Sequence, residues 1–165
     1  MKTNHVLRLL EEHDLPLTLA WRNQEHIRRW FFTEEPISYK KHRAWFNKYK
    51  KLDTDFVFII LSKKLHLKPV GQVSLYAIDW KTMIGEFGRL MIGESEARGL
   101  GLARSASLLL LHVGFDILGL KKIILEVKED NIAAISLYLS IGFLETVAEN
   151  GIIKMEIQYD HLKIE

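Results

Sequence analysis

One stretch constrains this chain more than any other. Residues 84–119 place an apolar strand, a turn with two closely spaced glycines and a long apolar helix in succession. The strand covers Ile84 to Ile92, Gly99-Leu100-Gly101 makes the turn, and the helix runs to about Leu118, where Gly119 takes the usual C-terminal position. Glycines let a backbone approach a ligand closely, and the first N–H groups of a helix have no partners within it. Aided by the positive end of the helix dipole, such a turn suits a phosphate or pyrophosphate. Arg98 and Arg104 add full charge beside it. The turn is not a Walker loop, because Lys-Ser/Thr does not follow the second glycine, and it lacks the final glycine of a dinucleotide fingerprint. Taken alone, it is equally compatible with a tight strand-to-helix connection that binds nothing.

The remaining chain reads as continuous secondary structure without linker or repeat. Val6 to Leu10 is a short strand. Asp14 is expected to cap a helix through Trp21, and a second helical turn covers Glu25 to Trp30. Ser38 caps a helix from Tyr39 to Lys50, with Ala44, Trp45 and Tyr49 near one face. Asp55 to Leu61 and Gly71 to Ile78 are strands by their β-branched and aromatic content. After the long helix come a strand at Lys122 to Val127 and a helix at Ile132 to Ile141 stopped by Gly142. Leu144 to Tyr159 is split by Asn150-Gly151, a strong hairpin signal. The order is β-α-α-β-β-β-α-β-α-β-β, an α/β (α+β) domain with a mixed sheet. At 165 residues one domain over 1–165 is expected, large enough to bury roughly 70% of its unfolded surface.

Composition removes several function classes. There is no cysteine, so a disulfide scaffold, a thiolate zinc site and a cysteine nucleophile are all excluded. No two histidines stand two, three or four residues apart, so no metal site is expected. A net charge of +2 gives no electrostatic case for a nucleic-acid partner. The longest apolar run, Ala106 to Phe115, is far short of the ~20 residues a membrane span needs, so no membrane partner is expected. Arg8, Glu11 and Glu12 defeat an N-terminal apolar leader, and a cytoplasmic protein is the expectation.

A second motif lies downstream. The spacing N-x-x-A-x-x-L-Y-x-x-x-G-F spans Asn131 to Phe143. Together with Arg98-Gly99-Leu100-Gly101-Leu102-Ala103, it resembles the two CoA motifs of the Gcn5-related N-acetyltransferase (GNAT) superfamily, at the expected separation. Ala103 stands where that loop most often has Gly, a replacement the family pattern allows. The resemblance implies a mostly antiparallel central sheet flanked by helices and acetyl-CoA as co-substrate. It implies that Arg98, Gly99, Leu100, Gly101, Leu102, Ala103 and Arg104 bind the pyrophosphate. It further implies that Leu90, Met91 and Ile92 pair with the pantetheine and that Asn131 lies beside that arm.

Moving an acetyl group from a thioester to an amine needs a neutral amine, a stabilised carbonyl oxygen and a proton for the departing thiolate. An alkyl amine with a pKa near ~10 is almost wholly protonated at pH 7, so its proton must be removed. Tyr138 is the candidate acid, and the resemblance sets its hydroxyl at the CoA sulfur. Periodicity favours a core tyrosine instead, since Ile132, Ile135, Tyr138 and Ile141 share a face. Glu86, a carboxylate within an apolar strand, is the candidate base, with a solvent-facing residue as the alternative.

The resemblance implies that acceptor specificity comes from the N-terminal helices and the final hairpin. Trp21, Arg22 and Asn23 are candidate substrate-side residues, as is His42, which otherwise reads as a helix-surface residue. Inward aromatics with solvated arginines are the plain reading. The sharper one is an aromatic and basic cleft for a bulky anionic acceptor. Leu19-Ala20-Trp21-Arg22-Asn23 resembles two GNAT subgroups, the amino-sugar nucleotide enzymes and the ribosomal-protein N-terminal acetyltransferases. The expected acceptor is a small-molecule or peptide amine, with a nucleotide-linked amino sugar first and a protein N-terminus of the ribosomal-protein type or a small amine such as a polyamine as the alternative. A non-catalytic acyl-CoA sensor is the reading from another class, and a monomer or homodimer is expected.

Overall fold

The structure is a computed structural model and describes residues 3–162. Its elements are β1 (His5–Leu9), α1 (Leu15–Asn23), α2 (Glu25–Arg28), α3 (Tyr39–Tyr49), β2 (Phe56–Ser62), β3 (Lys68–Asp79) and β4 (Ile84–Ile92). They continue with α4 (Leu102–His112), β5 (Lys122–Lys128), α5 (Ile132–Ile141), β6 (Leu144–Glu149) and β7 (Ile152–Ile157). One seven-stranded sheet runs β1-β2-β3-β4-β5-β7-β6. Every neighbouring pair is antiparallel except β4 with β5. This is the mixed, mostly antiparallel sheet expected.

Alternation along β2 explains the layering. Successive side chains on a strand point to opposite faces. Val57 and Ile59 join Leu10, Leu15, Phe46 and Tyr49 under α1 and α3. Phe56, Phe58 and Ile60 join the larger core that includes Leu110, Leu111, Ile135 and Ile141 of α4 and α5. The sheet is therefore covered on both faces, and burying Leu, Ile or Phe in either layer stabilises the fold by about 1.5–3 kcal/mol per side chain.

The feature that creates a site lies in β4. Its pairing with β3 slips between Ser74↔Gly88 and Gln72↔Met91, and Arg89 there has φ +53°. This bulge reverses the strand's faces. Phe87 points into the larger core, and so do Leu90 and Ile92 beyond the bulge. Met91 turns the other way, onto Trp21 and Ile27. The parallel β4–β5 pairing covers only Ile84–Glu86 against Lys122–Ile124, whereas β5 pairs with β7 through to Lys128. Past Glu86 the two strands part, and a wedge opens between them.

Several local expectations need correction. Asp14 does not cap α1 with its side chain. Its carboxylate accepts from Arg8 at 2.8 and 2.9 Å and from the Glu11 N–H at 2.9 Å, because an ion pair with buried geometry outcompetes a cap. The helical turn predicted to Trp30 stops at Arg28. Ala44 is exposed, and the inward face of α3 is His42, Phe46 and Tyr49. The long helix is α-helical to His112 and finishes in a π-helical turn, Val113–Ile117. Ser38 does cap α3, accepting from the Lys41 N–H at 3.3 Å. The β6–β7 turn has φ of +52° at Asn150 and +76° at Gly151, the pairing such hairpins require.

Candidate active site

The wedge between β4 and β5 is a cavity of about 390 Å³. Phe87 to Met91 form one wall, Glu126 and Val127 another, and Asn131, Ala134 and Tyr138 of α5 close it. Asn131 is fixed there because its Oδ1 accepts from the Ala134 N–H at 3.3 Å, capping α5. Tyr138 both packs in the core and reaches the cavity. Its ring packs edge-on against Phe87 and Phe143 at 5.7 and 5.8 Å, and it also lines the cavity. Burial pushes its phenol up to about 12, so the hydroxyl keeps its proton throughout the neutral range.

Beyond the wedge, Ile92, Arg98, Gly99, Gly101, Leu102, Ala103 and Arg104 line a groove together with Ala133, Ala134 and Leu137 of α5. Gly99 and Gly101 have φ of +74° and +71°, and a Cβ built on either meets nothing within 4 Å. The backbone conformation demands glycine here, and the space before it is open. The first N–H groups of α4 follow directly, so the groove fits a pyrophosphate. Leu100 is the exception among the predicted loop residues. It packs on the larger core instead of lining the groove.

Tyr76, the cross-strand partner of Glu86, lines the cavity, and Glu86 does not. The Tyr76 hydroxyl donates to Glu86 Oε1 at 2.7 Å. Burial and that carboxylate both push the Tyr76 phenol up, beyond use as a base near neutrality. A Cβ at Gly88 would lie 3.0 Å from the Tyr76 hydroxyl, so the missing side chain makes room for the ring. The Arg89 guanidinium lies 4.1 Å from the Tyr76 ring centroid and 5.7 Å from that of Trp45. Tyr76 and Arg89 are the residues that sequence reasoning missed. Arg89 carried a usable signal, as a charged residue beside Glu86 in an otherwise apolar strand. Tyr76 carried none, because its partner is set by sheet register.

A second cavity of about 420 Å³ adjoins the first, and both are lined by Arg22, Phe31, Thr33, Arg89 and Met91. Of the predicted acceptor residues, Arg22 and His42 line it. Trp21 and Asn23 do not. Trp21 is 1% exposed, seals against Met91 and Ile27, and donates from Nε1 to Glu94 at 2.9 Å. Asn23 donates to the Ile37 carbonyl and accepts from the Ile37 N–H, both at 2.8 Å, which fastens the segment between α2 and α3. His42 is buried, not on the helix surface. Its Nε2 lies 3.0 Å from Thr18 Oγ1, and its ring stacks on Trp45 at 5.3 Å. Burial and the nearby Arg22 lower its pKa, so it is neutral at pH 7. Among the described residues no three His, Asp or Glu side chains cluster as metal ligands, and no helix is long and apolar enough to cross a membrane.

A parted pair of parallel strands, a glycine turn at a helix N-terminus and a tyrosine on the facing helix define an acyl-CoA-dependent transferase. A family model for the acetyltransferase (GNAT) domain matches residues 5–144, and the chain belongs to that family. It is an N-acetyltransferase using acetyl-CoA. Spermidine N(1)-acetyltransferase of Vibrio cholerae is 30% identical over 145 residues, covering 88% of this chain and 82% of that enzyme. An uncharacterized Methanocaldococcus jannaschii protein is 30% identical over 142 residues, and there the chain matches 86% of itself but spans only 28% of the relative. Among solved structures, the V. cholerae spermidine N-acetyltransferase with CoA and spermine superposes with a TM-score of 0.85 at 28% identity, covering 96% of this chain and 97% of that one.

Proposed function

We propose that this chain acetylates the primary amine of a small molecule directly, with no covalent enzyme intermediate. The observation that carries the reading is the wedge itself, where the free edge of β4, Asn131 and Tyr138 face one cavity that shares Ala134 with the glycine groove. In this reading Arg98, Gly99, Gly101, Leu102, Ala103 and Arg104 hold the pyrophosphate, and the edge at Leu90, Met91 and Ile92 holds the pantetheine beside Asn131. Tyr138 donates a hydrogen bond to the departing sulfur. A phenol at about 12 is a weaker acid than a thiol at ~8.5, so the hydroxyl stabilises the thiolate charge more than it surrenders its proton. The amine's own proton leaves to water, with the Glu86–Tyr76 pair orienting the acceptor.

The V. cholerae relative named above is a spermidine N-acetyltransferase, which supports a small-amine acceptor over the nucleotide-linked amino sugar expected first. The test is thiol release from acetyl-CoA across a panel of small amines, amino-sugar nucleotides and peptides. Acetylation of small amines alone is the expected result. Binding of CoA with every amine untouched would turn the reading into an acyl-CoA sensor. A dodecameric form of the V. cholerae enzyme has been solved, so light scattering should accompany the screen to test the monomer or homodimer expected for this chain.

A further inference from the structure

The second cavity has a charge imbalance that acetyl-CoA does not explain. Arg22 is 7% exposed. Its Nη2 donates to the Thr33 carbonyl and its guanidinium lies 3.9 Å from the Phe31 ring centroid. Its Nη1 has no hydrogen-bond partner, and among the described residues no carboxylate pairs with it. Arg89, carried by the β4 bulge, lines the same wall. Its Nη1 also lacks a hydrogen bond, although Asp55 forms an ion pair with it at 3.8 Å. Lys41 is a third cation lining this cavity, and Glu35 is the one acid lining it among the described residues.

Holding a guanidinium out of water without a counter-charge is unfavourable, and Nη1 is left unsatisfied as well. Burial and the neighbouring Arg28 lower the Arg22 pKa, which records the same unfavourable placement. Such a charge persists in a fold when something else supplies the missing partner. A planar guanidinium fork is suited to the paired oxygens of a carboxylate or phosphate.

We propose that the acceptor carries an anionic group, a carboxylate or a phosphate, held by Arg22 and Arg89 on the wall shared by the two cavities. This rests on the reading of the chain as a small-amine acetyltransferase, and it names which amines. The anion sits at the junction of the cavities, and the amine extends from it toward Tyr138. Phe31 and Trp45 supply apolar surface around the connecting atoms. A polyamine, cationic at its other nitrogens at neutral pH, is repelled by the same wall.

The experiment compares matched acceptors with acetyl-CoA at fixed ionic strength. β-Alanine is set against propylamine for the carboxylate, phosphoethanolamine against ethanolamine for the phosphate, and spermidine is the polycation. At least one anionic amine should exceed its neutral twin by tenfold or more in kcat/KM, with spermidine poorer than either. In Arg22→Met that ratio should fall to about one, while CoA still raises the Tm and the variant's own Tm does not drop. Arg22→Lys keeps the charge without the fork and should retain part of the preference. If Arg22→Met fails to fold, Arg89→Met carries the same comparison. Spermidine as the best acceptor, or a ratio unchanged in the folded variants, would overturn the proposal. A chain that acetylates no amine, although CoA raises its Tm, would instead defeat the acetyltransferase reading. The anion site would then be judged by inorganic phosphate and propionate. A Tm rise from either that is lost in Arg22→Met supports the site, and no rise overturns it.

Discussion

The Tyr76 hydroxyl donates a 2.7 Å hydrogen bond to Glu86 Oε1, joining a residue that lines the cavity between β4 and β5 to one that does not. In the proposed reading Glu86 is a positioning residue acting through Tyr76. Glu86→Gln and Tyr76→Phe should each lower kcat/KM, and the double variant should lose little more than either alone, because the two act as one unit. The loss should be equal at pH 7 and pH 9.5. Recovery of Glu86→Gln at the higher pH, where solvent deprotonates the amine, would return Glu86 to the role of base.

Tyr138→Phe should separate chemistry from packing. The ring contacts with Phe87 and Phe143 survive the change, so the Tm and the CoA-induced shift should hold. Turnover should fall by about 100-fold, as for losing one hydrogen-bond donor to a developing negative charge. Single-turnover thiol release measures it, and an unchanged rate would leave Tyr138 as a core residue only.

Gly101 has φ +71° with open space before it. Gly101→Val places a β-branched residue in a left-handed conformation, costing about 1–2 kcal/mol of stability, and sets methyl groups into the groove. The CoA-induced rise in Tm should largely disappear while the variant still folds cooperatively. A full rise would remove the turn from the cofactor site.

Stability should fall with acid for a stated reason. Burial lowers the pKa of His5 and His42 below the ordinary 6.5 of the unfolded chain. The unfolded state therefore binds more protons as pH drops below about 6.5, and stability present above that pH is lost progressively beneath it. The Tm should decline between pH 7 and pH 5. His42→Gln should decline less over the same range, and an identical slope would exclude His42 as a contributor.

Gly93 is a packing glycine. A Cβ there would lie 2.0 Å from Trp21 Cγ, and the indole is held by its bond to Glu94. Gly93→Ala should lower stability by about 1–3 kcal/mol or more in denaturant unfolding. A neutral result would show that α1 can shift away from the sheet.

Much of this molecule was legible in local sequence. Hydrophobic period and turn chemistry are properties of neighbours along the chain. They located β4 from Ile84 to Ile92 and α5 from Ile132 to Ile141 with Gly142 after it, and they marked the Asn150-Gly151 hairpin. The glycine turn stood out for the same reason, since its conformation is dictated within a few residues, while Asn131 stood out only through the resemblance to the second GNAT motif.

The rest was decided by contacts between distant segments. The parting of β4 from β5 depends on where a parallel pairing stops and on a bulge at Arg89, and no residue's propensity encodes either. Sheet register put Tyr76 beside Glu86 and gave the tyrosine, not the carboxylate, the cavity wall. Trp21, Arg22 and Asn23 are adjacent in sequence yet end as a sealed packing residue, a cation with no carboxylate partner among the described residues at two cavities, and a loop clamp. A helix turns by about 100° per residue, so neighbours face different surroundings. Only the packed sheet and loops determine what those surroundings are.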